Sequence, residues 1–134
     1  MSATLSSTGH GLEAAYCIDG NTKTNCHTNN NHHYPWLSLD FGKIFAINRV
    51  DIFNRVDCCG ERTKNVEVRV YDELPISASP NQKFSGGSLL GTFPGPGTNG
   101  QHIIISGGNL ERIIDIFIHL RQMGIWQICH SPDG

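Results

Sequence analysis

The chain has 134 residues, enough for one domain with a single core and too few for two. Its formal net charge is −2, from 10 Lys and Arg against 12 Asp and Glu, so it lacks the broad cationic field that attracts nucleic acid or anionic membranes. No apolar run reaches the roughly 20 residues that cross a bilayer, and the N-terminus has no signal-peptide pattern. Nucleic-acid binding and membrane insertion are therefore not expected.

The predicted elements begin with one helical turn at residues 12–15. Two strands follow: residues 36–41, which close at Gly42, and residues 47–54, which place Val50 and Ile52 on one face. The second strand is expected to be half-buried, because Val50 and Ile52 alternate with Asp51 and Phe53 on the opposite face.

The clearest alternation is at residues 66–71, where three valines alternate with Glu67, Arg69 and Tyr71. The segment 77–100 is rich in Gly and Pro and predicts a surface loop with one short strand near Leu89.

Two further runs lie near the C-terminus. Residues 102–105 predict a short strand that stops at residues 106–108. Residues 113–120 are apolar enough for either a helix or a strand, but their alternating isoleucines favour a strand. Many short strands separated by turns predict an all-β chain, and we expect an antiparallel β-sandwich in a single domain, residues 1–134.

The chain has five cysteines, Cys17, Cys26, Cys58, Cys59 and Cys129. None forms a C-x-x-C pair, which argues against a zinc finger or ribbon and favours disulfides. The odd count leaves one thiol over, and spacing alone does not fix the pairing.

Residues 54–62 hold the highest concentration of charged and cysteine side chains in the chain, with Arg55 and Arg62 flanking Asp57, Cys58 and Cys59. Planar guanidiniums with several donors suit hydroxyl groups and ring oxygens. Taken alone, the arginines equally fit solvated ion pairs with nearby acids. The adjacent cysteines either bond to each other or bridge to separate partners.

These residues resemble a known sequence motif. The pattern Arg55-x-Asp57-Cys58-Cys59-x-x-Arg62 resembles the F-type lectin (fucolectin) family. The resemblance extends upstream and downstream through Cys26-His27-Thr28, Pro35-Trp36, residues 15–21 and Ile128-Cys129.

The resemblance implies a discoidin-like jelly roll whose loops bind L-fucose. His27, Arg55 and Arg62 would hydrogen-bond the ring oxygen and hydroxyls, and Asp57 would orient the arginines. A Cys58–Cys59 disulfide would pack against one edge of the sugar. Because 27 residues separate His27 from Arg55, one more than is usual in the family, His32 or His33 could supply the ring nitrogen in place of His27.

The resemblance also implies a Cys26–Cys129 disulfide, with Cys17 as the unpaired, buried thiol. Fucose-binding lectins of this family bind a structural calcium, for which Asp19 and Asn21 match. Backbone carbonyls of Tyr16, Asn25 and Cys129 would complete the set. His130 replaces the usual acid, which weakens a site that prefers hard oxygen donors.

The implied protein is a secreted, non-catalytic lectin of cell recognition or innate immunity that binds fucosylated glycans. Its signal peptide is absent from this chain, and it gains avidity as a homo-oligomer or as one unit of a tandem array. The acids form no recognisable catalytic pair, and no Ser-His-Asp or metal-hydrolase motif occurs. The rival hypothesis is a discoidin-like adhesion domain that binds protein or phospholipid through apolar loop tips.

Overall fold

The computed structural model describes residues 2–9, 11, 13–21, 26–28, 35–72, 87–119 and 127–132. For residues 45, 108–119 and 127–132 only the backbone is described. The strands are β1 (Ser2–Leu5), β2 (Trp36–Phe53), β3 (Val66–Tyr71), β4 (Ser88–Phe93), β5 (His102–His119) and β6 (Gln127–Pro132), with 3₁₀ turns at Ala14–Cys17 and Gly60–Arg62. In this part of the chain, no helix is long and apolar enough to cross a membrane.

All strand pairs are antiparallel, in the order β1-β2-β5-β3-β4 with β6 on β2. Residues 37–40 of β2 pair with β1, and residues 36–40 pair with residues 115–119 of β5. Residues 47–53 of β2 pair instead with β6 and with the opposite end of β5. The long strands therefore belong to both layers of the expected sandwich.

One core cluster joins the two layers. Its buried members are Leu5, Cys17, Cys26, Leu37, Leu39, Phe41, Ile47, Val50, Ile52, Val66, Val68, Val70, Leu90, Ile103 and Ile105. The alternation predicted for β3 is confirmed, since its three valines are buried between half-buried Glu67 and Arg69. Tyr71 is also buried, because it packs against Trp36. The short strand predicted near Leu89 is β4.

The prediction that the strand 36–41 closes at Gly42 is wrong. Gly42 adopts a φ of 74° and donates its N–H to Oδ1 of Asp40, at 2.9 Å. The pairing register shifts between Asp40 and Phe45, and the strand continues to Phe53. Glycine at positive φ thus forms a bulge that redirects β2 from one layer to the other.

The same correction applies to β5. Residues 106–108 were expected to stop a strand, yet β5 runs through them with only a shift in register. The predicted strand 113–120 pairs through Ile116 and Ile118 with Leu39 and Leu37 of β2. Leu120 lies outside the described residues.

The disulfide prediction needs a larger correction. Cys17 bonds to Cys26, with their Cα atoms 5.2 Å apart, and both side chains are fully buried. The 3₁₀ turn at Ala14–Cys17 directs Cys17 into the core, where it meets Cys26. A Cys26–Cys129 bond and a free Cys17 are therefore wrong, because the sulfur of Cys26 is already bonded.

We expect the double variant Cys17→Ser/Cys26→Ser to lose about 2–4 kcal/mol of unfolding free energy, because the bond closes a real chain loop. Denaturant unfolding measures this loss. The matched control is Cys58→Ser/Cys59→Ser, which loses far less, since adjacent cysteines close almost no loop. Unchanged stability of the first variant would contradict the Cys17–Cys26 assignment.

Candidate functional site

The candidate site is built on the loop between β2 and β3, residues 54–65. Nε and Nη2 of Arg55 donate to the two carboxylate oxygens of Asp57, at 2.7 and 3.1 Å. The side chain of Arg55 is 18% exposed and that of Asp57 is 58% exposed. A two-point contact of this kind fixes the plane of the guanidinium, so the arginine is oriented before any ligand arrives.

The ion pair changes the ionisation of both groups. The hydrogen bond from Arg55, with smaller contributions from backbone N–H groups, holds the pKa of Asp57 below its usual range. The hydrogen bond to Asp57 raises the pKa of Arg55. Because the carboxyl pKa is lowered in the folded state, the pair is intact above about pH 4 and is lost only as the pH falls through the folded pKa.

We expect an NMR titration to give Asp57 a pKa below the ordinary value of about 3.9. In Arg55→Ala the pKa of Asp57 should rise towards that value, because the main cause of the shift is gone. A normal pKa for Asp57 in the unmodified protein would show that the ion pair does not form in solution.

The predicted Cys58–Cys59 disulfide is confirmed. Both cysteines are half-buried, and Cys59 adopts a left-handed backbone with a φ of 67°. Non-glycine residues adopt this region rarely, and they do so mostly where the surroundings enforce it, often at binding sites. The disulfide places compact apolar sulfur beside the charged pair of Arg55 and Asp57.

Arg62 ends the 3₁₀ turn that follows the disulfide, and its N–H donates to the carbonyl of Cys59 at 3.0 Å. Its side chain is exposed. Its guanidinium forms no hydrogen bond or ion pair with the residues that the structure describes. The backbone of the turn therefore sets where the Arg62 side chain leaves the loop.

His27 lies on a separate segment and is 4% exposed. Its Nδ1 lies at hydrogen-bonding distance from the carbonyl of Thr28, and its own carbonyl accepts from the N–H of Gly9 at 2.7 Å. A carbonyl only accepts, so Nδ1 is the donor in this contact. The alternatives His32 and His33 lie outside the described residues.

Sequence reasoning missed Asn54. This side chain is 1% exposed and sits at the base of the loop. Its Nδ2 donates to the carbonyls of Gly60 and Thr98, at 3.0 and 2.9 Å, and its Oδ1 accepts from Oγ1 of Thr63 at 2.7 Å. The signal was present, because Asn54 continues the inward-facing series of Val50 and Ile52.

The predicted calcium ligands are only partly described. Oδ1 of Asp19 accepts from the backbone N–H of Asn21 at 2.9 Å, and both residues are exposed. Tyr16 belongs to the 3₁₀ turn Ala14–Cys17, which contacts β6, the strand of Cys129. Asn25 lies outside the described residues. The described donors are hard oxygens, which suit calcium, and in the described ranges no three His, Cys, Asp or Glu residues cluster as a metal site.

The loop thus brings together Arg55, Asp57, Cys58, Cys59 and Arg62, five of the six residues predicted to bind sugar. A family model described as a NedA-like, galactose-binding domain of the F5/F8 type C class matches residues 16–93, which include this loop.

Curated and solved proteins resemble the chain as well. A fucolectin from Anguilla anguilla is 33% identical over 78 residues, which are 54% of this chain and 49% of the relative. The chain thus spans about half the length of the curated relatives that it matches.

The fold matches that of solved lectin structures. A fucolectin from the serum of striped bass, Morone saxatilis, superposes with a TM-score of 0.78 at 22% identity, over 98% of this chain and 46% of that one. The lectin domain of lectinolysin, complexed with Lewis B antigen, superposes with a TM-score of 0.73 at 19% identity, over 99% of this chain and 93% of that one. These matches establish the β-sandwich that the sequence predicted.

Proposed function

Since the chain belongs to the F5/F8 type C family of NedA-like, galactose-binding domains, we propose that it is a non-catalytic lectin that binds terminal L-fucose on glycans. The observation that carries this proposal is the loop in which Arg55, paired with Asp57, and the exposed Arg62 flank the Cys58–Cys59 disulfide. The name of the fucolectin relative and the Lewis B ligand of lectinolysin support the choice of sugar.

The chemistry of the loop suits this sugar. Charged N–H donors form strong hydrogen bonds to hydroxyl and ring oxygens, and Arg55 and Arg62 supply them. L-Fucose also carries a methyl group where galactose has a hydroxymethyl group, and the half-buried disulfide offers apolar surface for that methyl. The ring of His27 would add a further polar contact to the sugar.

The test is a calorimetric titration of the oxidised protein with L-fucose, with D-galactose and L-galactose as control sugars. L-Galactose differs from L-fucose only by the hydroxyl group on C6, so it isolates the contribution of the methyl group. We expect saturable binding of L-fucose and at least tenfold weaker binding of L-galactose, as is usual for one apolar group in a pocket. Absence of fucose binding by the folded protein contradicts the proposal.

A parallel measurement with phosphatidylserine vesicles tests the adhesion alternative. Apolar loop tips that insert into lipid need several exposed apolar side chains together. In the described part of the chain, the large exposed apolar residues each lie on a different element; they are Tyr16, Ile44, Val56, Leu89 and Ile104. Vesicle binding without fucose binding would favour the adhesion domain.

We propose that the protein acts outside the cell, because disulfides such as Cys17–Cys26 and Cys58–Cys59 form and persist in oxidising compartments. Since a single monosaccharide site binds weakly, several sites in a homo-oligomer or a tandem array would supply the avidity for cell-surface glycans.

We also propose that Asp19 and Asn21, with backbone carbonyls that include that of Tyr16, bind a structural calcium ion. Binding to the folded state alone raises thermal stability, so we expect the melting temperature to rise with calcium chloride and to fall with a chelator. Asp19→Asn should remove most of this response, whereas Asp40→Asn, on β2, should keep it. Equal melting temperatures with and without calcium contradict the site.

A further inference from the structure

The loop that carries Arg55 and Arg62 is anchored on a second loop, residues 94–101, between β4 and β5. The backbone N–H of Asn54 donates to the carbonyl of Gln101 at 2.9 Å, and the N–H of Gly100 donates to the carbonyl of Arg55 at 2.7 Å. The backbone of Arg55 is therefore fixed by a segment that lies more than forty positions away in the sequence.

The second loop also fixes the turn that carries Arg62. The N–H of Gly60 donates to Oδ1 of Asn99 at 2.8 Å. Gly60 packs so closely that a Cβ there would lie 2.5 Å from the backbone nitrogen of Asn99 and 2.5 Å from the carbonyl carbon of Thr98. The start of the 3₁₀ turn Gly60–Arg62 is thus held against the second loop by one side-chain acceptor and by close backbone contact.

Asn54 completes the link between the two arginines. Its amide group donates both to Gly60, two residues before Arg62, and to Thr98 of the second loop. The buried amide of Asn54 therefore joins the end of β2, the 3₁₀ turn and the second loop. Asn54 is adjacent to Arg55 in the chain.

We propose that Asn54 and Asn99 are positioning residues of the sugar site, which fix the separation of the Arg55 and Arg62 backbones before the sugar binds. This inference rests on the proposed function. Affinity depends on such preorganisation, because a mobile loop must be ordered at the expense of binding free energy. The effect is greatest for Arg62, whose guanidinium has no ion pair with the described residues.

The test uses Asn99, because it is exposed and its described side-chain hydrogen bond is the one to Gly60. We expect Asn99→Ala to weaken L-fucose binding about tenfold, because the loosened loop must then be ordered as the sugar binds, and to lower the melting temperature by a few degrees through the lost hydrogen bond to Gly60. Asn99→Asp should restore the affinity, because it keeps an acceptor oxygen in place. Thr92→Ala, at an exposed position on β4, is the control and should bind as the unmodified protein does.

A second readout does not depend on sugar. Loosening the loop should speed the reduction of Cys58–Cys59 by dithiothreitol and the exchange of the Gly60 amide hydrogen several-fold in Asn99→Ala. Unchanged affinity, reduction and exchange in this variant would overturn the inference, as would an Asn99→Asp variant as weak as Asn99→Ala. If the unmodified protein does not bind L-fucose while exchange still rises in Asn99→Ala, the anchoring of the loop stands and the proposed function falls.

Discussion

Replacing Arg55 with alanine is expected to weaken L-fucose binding at least a hundredfold while the protein stays folded. A hydrogen bond from a charged donor contributes about 1.5–3 kcal/mol, so losing two such bonds exceeds the roughly 2.7 kcal/mol that a hundredfold change represents. The fold should survive, because Arg55 lies on a loop and its partner Asp57 is largely exposed. Calorimetric titration measures the affinity, and thermal unfolding measures the stability.

A conservative substitution separates charge from geometry. Lysine keeps the positive charge of Arg55 but lacks the fork that contacts both oxygens of Asp57, so we expect Arg55→Lys to recover only a small part of the affinity. If Arg55→Lys bound as tightly as the unmodified protein, the oriented fork would not matter.

The chain supplies a matched control for Arg55→Ala. Arg69 forms the same kind of ion pair with Glu67, also two positions away, at 2.6 Å on β3. We expect Arg69→Ala to leave L-fucose binding unchanged, because this pair lies on a strand and not in the loop. Equal losses in Arg55→Ala and Arg69→Ala would point to a general effect of charge or stability.

The strands of the fold were predictable where local pattern decides the structure. In β3, alternation with period two identifies the buried valines, because successive side chains of a strand point to opposite faces. The loop was identified by its unusual chemistry, since paired arginines and adjacent cysteines are rare together. Both signals lie within a few residues of the structure that they predict.

Features that depend on distant partners were not predictable in this way. Gly42 and Gly107 look like strand ends, because a local pattern does not distinguish a bulge from a stop. The glycines become bulges only because β2 and β5 pair along their whole length. The sequence likewise could not show that Asn54, at an inward-facing position, meets a carbonyl 44 positions away at Thr98.

The wrong Cys26–Cys129 prediction also concerns a contact that local sequence pattern does not determine. The assignment of Cys26 to Cys129 came from resemblance to a family, and spacing alone left all pairings open. The bond to Cys17 is set by the 3₁₀ turn that directs this residue into the core beside Cys26. Cys129 lies on β6, whose backbone pairs with β2 at Asp51.

Adding a single methyl group at Gly107 is expected to destabilise the fold strongly. A Cβ at this position would lie 2.0 Å from the carbonyl oxygen of Leu90 and 2.9 Å from its carbonyl carbon. These are backbone atoms of β4, so no side chain can rotate away, and β4 and β5 must move apart. We expect Gly107→Ala to lower the unfolding free energy by about 3 kcal/mol, the upper part of the usual range for overpacking. Denaturant unfolding measures this change.

Gly42→Ala is the control, because it separates backbone strain from close packing. Gly42 has a φ of 74° but open space around its Cβ position, so alanine there meets only the strain of the left-handed region, about 1 kcal/mol. Since the φ of Gly107 is not in that region, its cost comes from the approach of Leu90 alone. A smaller loss in Gly107→Ala than in Gly42→Ala would mean that β4 and β5 do not pack this closely in solution.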